Sequence, residues 1–234
     1  MPGAAEQTLV PLRDPTATLV PGPTIAPGSR PMLSGWGGLA QPGVEVLGED
    51  LEALTAGRVL SRGLGRSYGD SSLPPPGQLE VATTVLADRI LAFDRETGVM
   101  RAEAGLSLFA LNRVMLAQGF FPPVTPGTQF VTLGGAVASD VHGKNHHVAG
   151  CFGAHVLRLR MRVADGRVLH CSREEHADLF LATIGGMGLT GHILEVEFRM
   201  EKIPSTWIWQ RAIKVPNVDA YVEALDAAAK DWPM

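Results

Sequence analysis

Two glycine-rich stretches carry the groups in this chain that could do chemistry. The first is Arg62, Gly63, Leu64, Gly65, Arg66, Ser67, Tyr68, Gly69, Asp70 and Ser71. Successive N–H groups in glycine-rich turns can form an anion-binding concavity, and Arg66 with Ser67 adds a cation and a hydroxyl suited to a pyrophosphate. No Gly-Lys-Ser/Thr closes the loop, so it is not a Walker A motif. The second stretch runs from Phe130 to His147. Gly134 and Gly135 let backbone approach a flat or phosphorylated ligand, and Thr132, Ser139 and Asp140 offer short hydrogen-bonding side chains beside them. His142, Lys144, Asn145, His146 and His147 follow at once. The stretch reads as a ligand cradle without a helix; the alternative is a glycine-kinked strand leading into a solvated loop.

Two other patterns invite chemistry and fail on context. His142, His146, His147 and His155 could be metal ligands, but Gly143 and Asn145 disfavour a helix there. No carboxylate stands at a zinc-protease offset either, so no metal site is expected. Gly186-Met-Gly-Leu-Thr-Gly191 matches GxGxxG, yet a helix pattern precedes it and a strand pattern follows. The dinucleotide fingerprint needs the reverse order, so that the pyrophosphate meets a helix N-terminus.

The elements that must position these loops are legible as patterns. Arg58 to Ser61 reads as a short strand entering the first loop. Strand candidates at Gln78 to Ala82, Ile90 to Phe93 and Val99 to Ala104, separated by proline- or glycine-containing turns, look like one small antiparallel sheet. Ser107 caps a helix with Leu108, Leu111 and Met115 on its apolar face, and Gly119 ends it. Leu157, Leu159, Met161 and Val163 alternate with arginines, and Leu194, Val196, Phe198 and Met200 alternate with Glu195, Glu197 and Arg199. That predicts two strands with an arginine face set against an acidic one. Asp165-Gly166 is the hairpin turn into Val168 to Cys171. Ser172-Arg-Glu-Glu175 reads as a capping box for a helix bearing Ala177, Phe180, Leu181 and Ile184, with Gly185 as its stop. The order of elements is that of an α+β fold.

Composition sets the outer bounds. The chain has 234 residues, 45% of them hydrophobic and 19% charged, enough to bury a core as one large or two smaller domains. A net charge of −4 and the lack of any run of five Lys/Arg exclude a nucleic-acid surface. Cys151 and Cys171 have no CxxC spacing and read as ordinary thiols. No apolar run reaches the roughly 20 residues of a membrane span, and no signal peptide pattern opens the chain. A cytoplasmic location is expected, with membrane-surface association left open. Residues 1–32 hold seven prolines and are expected to be a disordered arm. Order should begin at Leu33 to Gly38, with Trp36 as a buried anchor.

The motifs Leu33-Ser-Gly-Trp-Gly37, Arg62 to Asp70, Pro126-Gly-Thr128, Val131-Thr-Leu-Gly-Gly-Ala136, Asp140-Val-His-Gly-Lys-Asn-His-His147 and Gly188-Leu-Thr-Gly191 together resemble FAD-linked oxidoreductases of the vanillyl-alcohol oxidase type. Within that type they are similar to the decaprenylphosphoryl-β-D-ribose 2′-oxidase branch. The resemblance implies a p-cresol methylhydroxylase-type FAD-binding domain of two α+β subdomains over residues 33–204. It implies that Arg62 to Ser71 wraps the FAD pyrophosphate and that Gly127, Thr132, Leu133, Gly134 and Gly135 lie along the cofactor. Ser139, Asp140, Val141, His142 and Ile193 would complete its contacts, with His142 and Lys144 as catalytic candidates at the flavin face and Lys144 touching substrate. Arg66 stands where covalently flavinylated relatives carry a histidine, which implies dissociable FAD.

The chemistry implied is hydride transfer to flavin from a carbinol of a sugar, sugar lactone or polyol, a polyprenyl-phosphosugar among them. An NAD-dependent reductase is the partner that the resemblance implies. Residues 205–234, with a strand at Ser205 to Ile213 and a helix bearing Val218, Tyr221, Val222 and Leu225, are expected to begin a substrate domain whose remainder, with the base lysine, lies beyond Met234. The alternative is a non-catalytic FAD-binding module that needs that missing part or a partner chain.

Overall fold

A computed structural model of the chain describes residues 6–11 and 31–230. Its largest element is a five-stranded antiparallel sheet in the spatial order Val168–Ser172, Val156–Arg162, His192–Arg199, Val99–Glu103, Ile90–Phe93. Period-two alternation sends Leu159, Met161, Val196, Phe198, Met100 and Ala102 to one buried face. The predicted charge pairing is present: Arg160 stands opposite Glu195 and Arg158 opposite Glu197. Glu195 accepts from Arg160 at 3.2 Å and from Arg101 at 3.1 Å. Helices Leu108–Met115, Leu133–Ala138 and Ala177–Thr183 contribute Leu108, Leu111, Leu133, Val137 and Phe180 to the same core.

A smaller sheet is parallel. Glu80–Thr83 is its central strand, flanked by Val44–Leu47 and Ser61–Arg62, with helix Leu51–Thr55 in the crossover. Asp50 caps that helix, accepting from the N–H groups of Glu52 at 2.9 Å and Ala53 at 3.2 Å. This corrects the single antiparallel sheet expected from residues 78–104. Val81, Ala82 and Thr83 are all buried, the mark of a strand covered on both faces in a parallel sheet, whereas the 90–93 and 99–103 strands join the larger sheet.

Several local expectations hold. Ser107 accepts from the N–H of Ala110 at 3.1 Å, and Gly119 ends the following turn at φ 81°. Asp165-Gly166 makes the hairpin turn, with Gly166 at φ 86°. Other expectations do not hold. Residues 133–138 are a helix, because Thr132 caps it through the N–H of Gly135 at 3.2 Å and Ala136, Val137 and Ala138 continue it past the glycine pair. Ser172 receives the N–H groups of Glu174 and Glu175, both at 3.1 Å, but this closes a turn at the strand end and the helix starts only at Ala177. Trp36 is 57% exposed, at a hairpin between strands Met32–Ser34 and Ala40–Pro42. Part of the expected disordered arm is ordered: Glu6–Pro11 pairs antiparallel with Trp207–Ala212. Proline-free residues 7–10 form the body of that strand and Pro11 falls at its end, where a missing donor is tolerated. The remainder of the expected arm below residue 31 lies outside the described residues.

Candidate functional site

The two glycine stretches meet in one cleft between the two sheets. Gly63 packs so closely on the helix cap that a Cβ there would lie 2.5 Å from the Thr132 hydroxyl. Arg66 Nε donates to the Phe130 carbonyl at 3.3 Å, a second tie between the stretches. Ser61, Arg62, Gly63, Ser67 and Ser72 line one wall. The facing wall is built by Thr132, Gly134, Gly135 and Ser139, with Met187, Gly188, Gly191 and Ile193 beside them. Thr84 and Ala104 close the base.

The donor sets of the walls differ. No N–H from Gly63 to Ser72 donates to a backbone carbonyl among the described residues; the first to do so is Leu73, to Asp70 at 2.8 Å. The Ser71 hydroxyl is buried and has no partner among them. By contrast the first amides of helix Leu133–Ala138 are committed: Leu133 to Leu106 and Gly134 to Ala104, both at 2.8 Å, and Gly135 to its own cap. Free amides belong to the 63–72 loop, so that loop is where a pyrophosphate fits. At Gly188, φ 78°, an added Cβ would meet nothing within 4 Å, which leaves room for a ligand in the other wall. A large, anionic, partly flat cofactor fits this donor set and this open wall.

Arg62 does not offer its guanidinium to that anion. It is 8% exposed and bonds Glu45 at 2.9 Å, the Ser34 carbonyl at 2.8 Å, and both the carbonyl and the hydroxyl of Ser72 at 3.3 Å. Its side chain therefore shapes the loop from behind. Arg66 is exposed and lies 5.8 Å over the Trp36 ring. Leu64, Tyr68, Gly69 and Asp70 are also exposed, outside the cleft lining, as is Gly127; Leu133 is wholly buried in the core.

Beyond the helix the candidates separate further. Asp140, at φ 40°, accepts the N–H of Gly153 at 2.8 Å and so braces the turn. Val141 is half-buried against the core. His142 and Lys144 are exposed and do not line the cleft, although Ser139, three residues before His142, does. Asn145 anchors this segment by donating to the Pro123 carbonyl at 2.9 Å. His146 Nδ1 carries its hydrogen toward the Gly143 carbonyl at 3.1 Å, since a carbonyl can only accept. Ser61, Ser72, Thr84, Ala104, Ala138, Met187, Gly188 and Gly191 line the cleft and were not among the expected contacts. The Gly186–Gly191 string was a visible signal for three of them. It sits after helix Ala177–Thr183 and before strand His192–Arg199, as its context indicated, and still faces the ligand space.

Two buried ionisable groups adjoin cleft-lining residues in the chain, Glu103 before Ala104 and His192 before Ile193. Glu103 is 7% exposed; burial favours its neutral acid, but bonds from the Arg89 side chain at 2.5 and 3.0 Å and from its N–H at 2.9 Å outweigh that and hold the carboxyl below its usual range. His192 is 6% exposed, and burial, with Arg162 nearby, lowers its pKa against the opposing bond to the Arg58 carbonyl.

Comparison with known proteins places this geometry. The sequence profile described as an FAD binding domain matches residues 53–172. The chain belongs to this FAD-binding family. FAD is its cofactor, and the fold is the expected p-cresol methylhydroxylase type. Decaprenylphosphoryl-beta-D-ribose oxidase of Mycolicibacterium smegmatis is 41% identical over 189 residues, covering 76% of this chain and 41% of that protein. L-gulonolactone oxidase of Mus musculus is 33% identical over 111 residues, covering 47% of this chain and 24% of that protein. Among solved structures, an alkyldihydroxyacetonephosphate synthase superposes with a TM-score of 0.60 at 20% identity over 68% of this chain and 32% of that one, a likeness of fold. The chain thus spans less than half the length of these relatives. No helix among the described residues is long and apolar enough to cross a membrane.

Proposed function

We propose that residues 33–204 form the FAD domain of an oxidoreductase that oxidises a carbinol of a sugar, sugar lactone or polyol, with a decaprenylphosphoryl-ribose-like phosphosugar as the leading substrate class. Residues 205–234 begin the substrate domain in this reading. The observation that carries the FAD part is the loop from Gly63 to Ser72, whose amides have no acceptor among the described residues and whose Gly63, Ser67 and Ser72 line the cleft with Thr132, Gly134, Gly135 and Gly188. The 41% identity to the decaprenylphosphoryl-ribose oxidase supports the substrate class. Bound FAD supplies the hydride-accepting chemistry; the chain's own residues bind and orient it. Ser67 and the loop amides hold the pyrophosphate, Thr132 keeps Gly135 against the cofactor, and Ile193 packs beside it. His142 and Lys144 reach the substrate from the exposed segment that follows Ser139, with Lys144 as the group that contacts its hydroxyls. Oxidation leaves a keto-sugar, whose consumption calls for a carbonyl reductase, an NAD-dependent one by resemblance to the 2′-epimerase system.

The test is anaerobic. The purified protein, loaded with FAD, is mixed with a polyprenyl-phosphoryl ribose, a sugar lactone or a polyol while flavin absorbance is followed. Bleaching by the phosphosugar alone is the expected outcome. Bound flavin that none of them reduces would favour the non-catalytic FAD-binding module over the oxidase reading for this chain, and protein that stays colourless with FAD would reject the cofactor site.

A further inference from the structure

His192 takes no part in the chemistry proposed above, yet it spans the cleft it borders. It opens the strand whose next residue, Ile193, lines one wall, and its ring contacts the segment that leads into the other. Nδ1 lies 2.7 Å from the Ser61 hydroxyl and Nε2 lies 2.9 Å from the Arg58 carbonyl. A carbonyl only accepts, so Nε2 carries the hydrogen and a neutral ring leaves Nδ1 as a bare acceptor for the Ser61 O–H. Ser61 heads the short strand of the parallel sheet, directly before Arg62 and the amide-rich loop. The imidazole therefore fastens the parallel sheet to the five-stranded sheet at the mouth of the FAD loop.

Among the described residues, the charged groups around the ring leave no counter-ion for an imidazolium. Arg162, its register partner on the adjacent strand, is tied to the Thr55 hydroxyl at 3.1 Å and the Glu52 carbonyl at 3.0 Å. Arg58 pairs with Glu80 at 3.5 Å, and the Glu52 carboxylate pairs with Arg160. Both carboxylates thus face arginines, and neither bonds the histidine. Protonation would put a hydrogen on Nδ1, reverse the Ser61 bond and add a cation near two guanidinium groups in a site that is nearly closed to water.

We propose that His192 is the positioning residue that fastens the two walls of the FAD cleft, and that it does so only while its ring is uncharged. By linkage, FAD, which requires the assembled cleft, then binds more tightly to the neutral form, so affinity falls on acidification. Burial already biases the ring toward that form. The flavin's own pyrophosphate acts in the opposite sense, attracting a nearby cation, so the sign of the pH dependence discriminates between fastening and charge attraction. The inference rests on the cleft being the FAD site.

The experiment titrates FAD into wild-type protein and into His192→Gln, whose amide can donate and accept without titrating, following flavin fluorescence. Between about pH 8 and about pH 5.5 the wild-type Kd should rise severalfold, with about tenfold as the ceiling for a single depressed imidazole, and the variant should stay within about twofold. A flat or tightening wild-type response, or an equal slope in the variant, overturns the proposal; the second result would place the titrating group elsewhere than His192. Nitrogen NMR of ring-labelled wild-type protein gives a readout that survives a variant that fails to fold. The buried ring should be the Nε2–H tautomer, with its titration moved to lower pH when FAD is added, and a move to higher pH refutes the role. Failure to bind FAD at any pH removes the site itself, whereas FAD bound with no pH dependence removes only His192.

Discussion

Gly63 shows how little room a single position leaves. Its missing Cβ is what allows the first loop to touch the Thr132 cap, so Gly63→Ala should raise the FAD Kd by about tenfold, or about 1.4 kcal/mol. Thr132→Ala removes the atom that the new methyl would strike, so the double variant should recover part of the loss even though it forfeits a cap of about 1 kcal/mol. Fluorescence titration of the three proteins tests the coupling. Arg62 sits behind the same loop, and its value lies in geometry rather than charge. Arg62→Lys cannot reach Glu45, Ser34 and Ser72 together, and should lower the unfolding free energy in urea by about 2–3 kcal/mol. The glycines were legible as a place of close approach, because only such a contact needs them. Arg62 was not: a sequence presents an arginine in an anion-binding loop without revealing that its donors are already engaged.

Among elements, two buried side chains, Glu103 within the larger sheet and His192 between the sheets, lose their contribution as pH falls. Glu103, at the end of a strand of the larger sheet, is held ionised by Arg89, so its folded pKa lies below the unfolded value near 4.5. Its contribution is present above that pH and is lost as pH falls through the folded pKa. His192 is also depressed, from 6.5, so the unfolded chain gains a proton first and stability declines from that pH downward. Urea midpoints measured across pH should therefore fall in two stages, the upper one missing in His192→Gln and the lower one missing in Glu103→Gln. Alternation made the strands at 156–162 and 192–199, and their arginine–glutamate facing, readable in advance. The partner of Glu80–Thr83 was not readable, since a short strand buried on both faces has no alternation to orient it. The helix at 133–138 was missed because its glycine pair outweighed the cap at Thr132, whereas in the fold Gly134 is needed where the helix crosses Ala104.

At the scale of the molecule, the cofactor site is a seam between two packed units. Arg66, which by resemblance stands where covalently flavinylated relatives carry a histidine, is engaged with Trp36 and Phe130. Acid precipitation of the loaded protein should leave all the flavin in the supernatant; yellow pellet protein would contradict this. The tail of the described chain shows where sequence reading stopped short. The strand at Trp207–Ala212 and the helix at Val218–Ala228 both form, yet Val218, Tyr221, Val222 and Leu225 lie exposed. Helical periodicity identifies a face but not what covers it.

The contrast between the two walls has a measurable counterpart in solvent exchange. Amides of Leu133, Gly134, Gly135 and Ala136 already have acceptors within the fold, so their deuterium uptake should be slow with or without FAD. Those from Gly63 to Ser72 have none among the described residues and should exchange freely until the nucleotide arrives. The protection footprint of FAD should therefore fall on one wall alone, marking that loop as the part of the cleft that the cofactor itself finishes building.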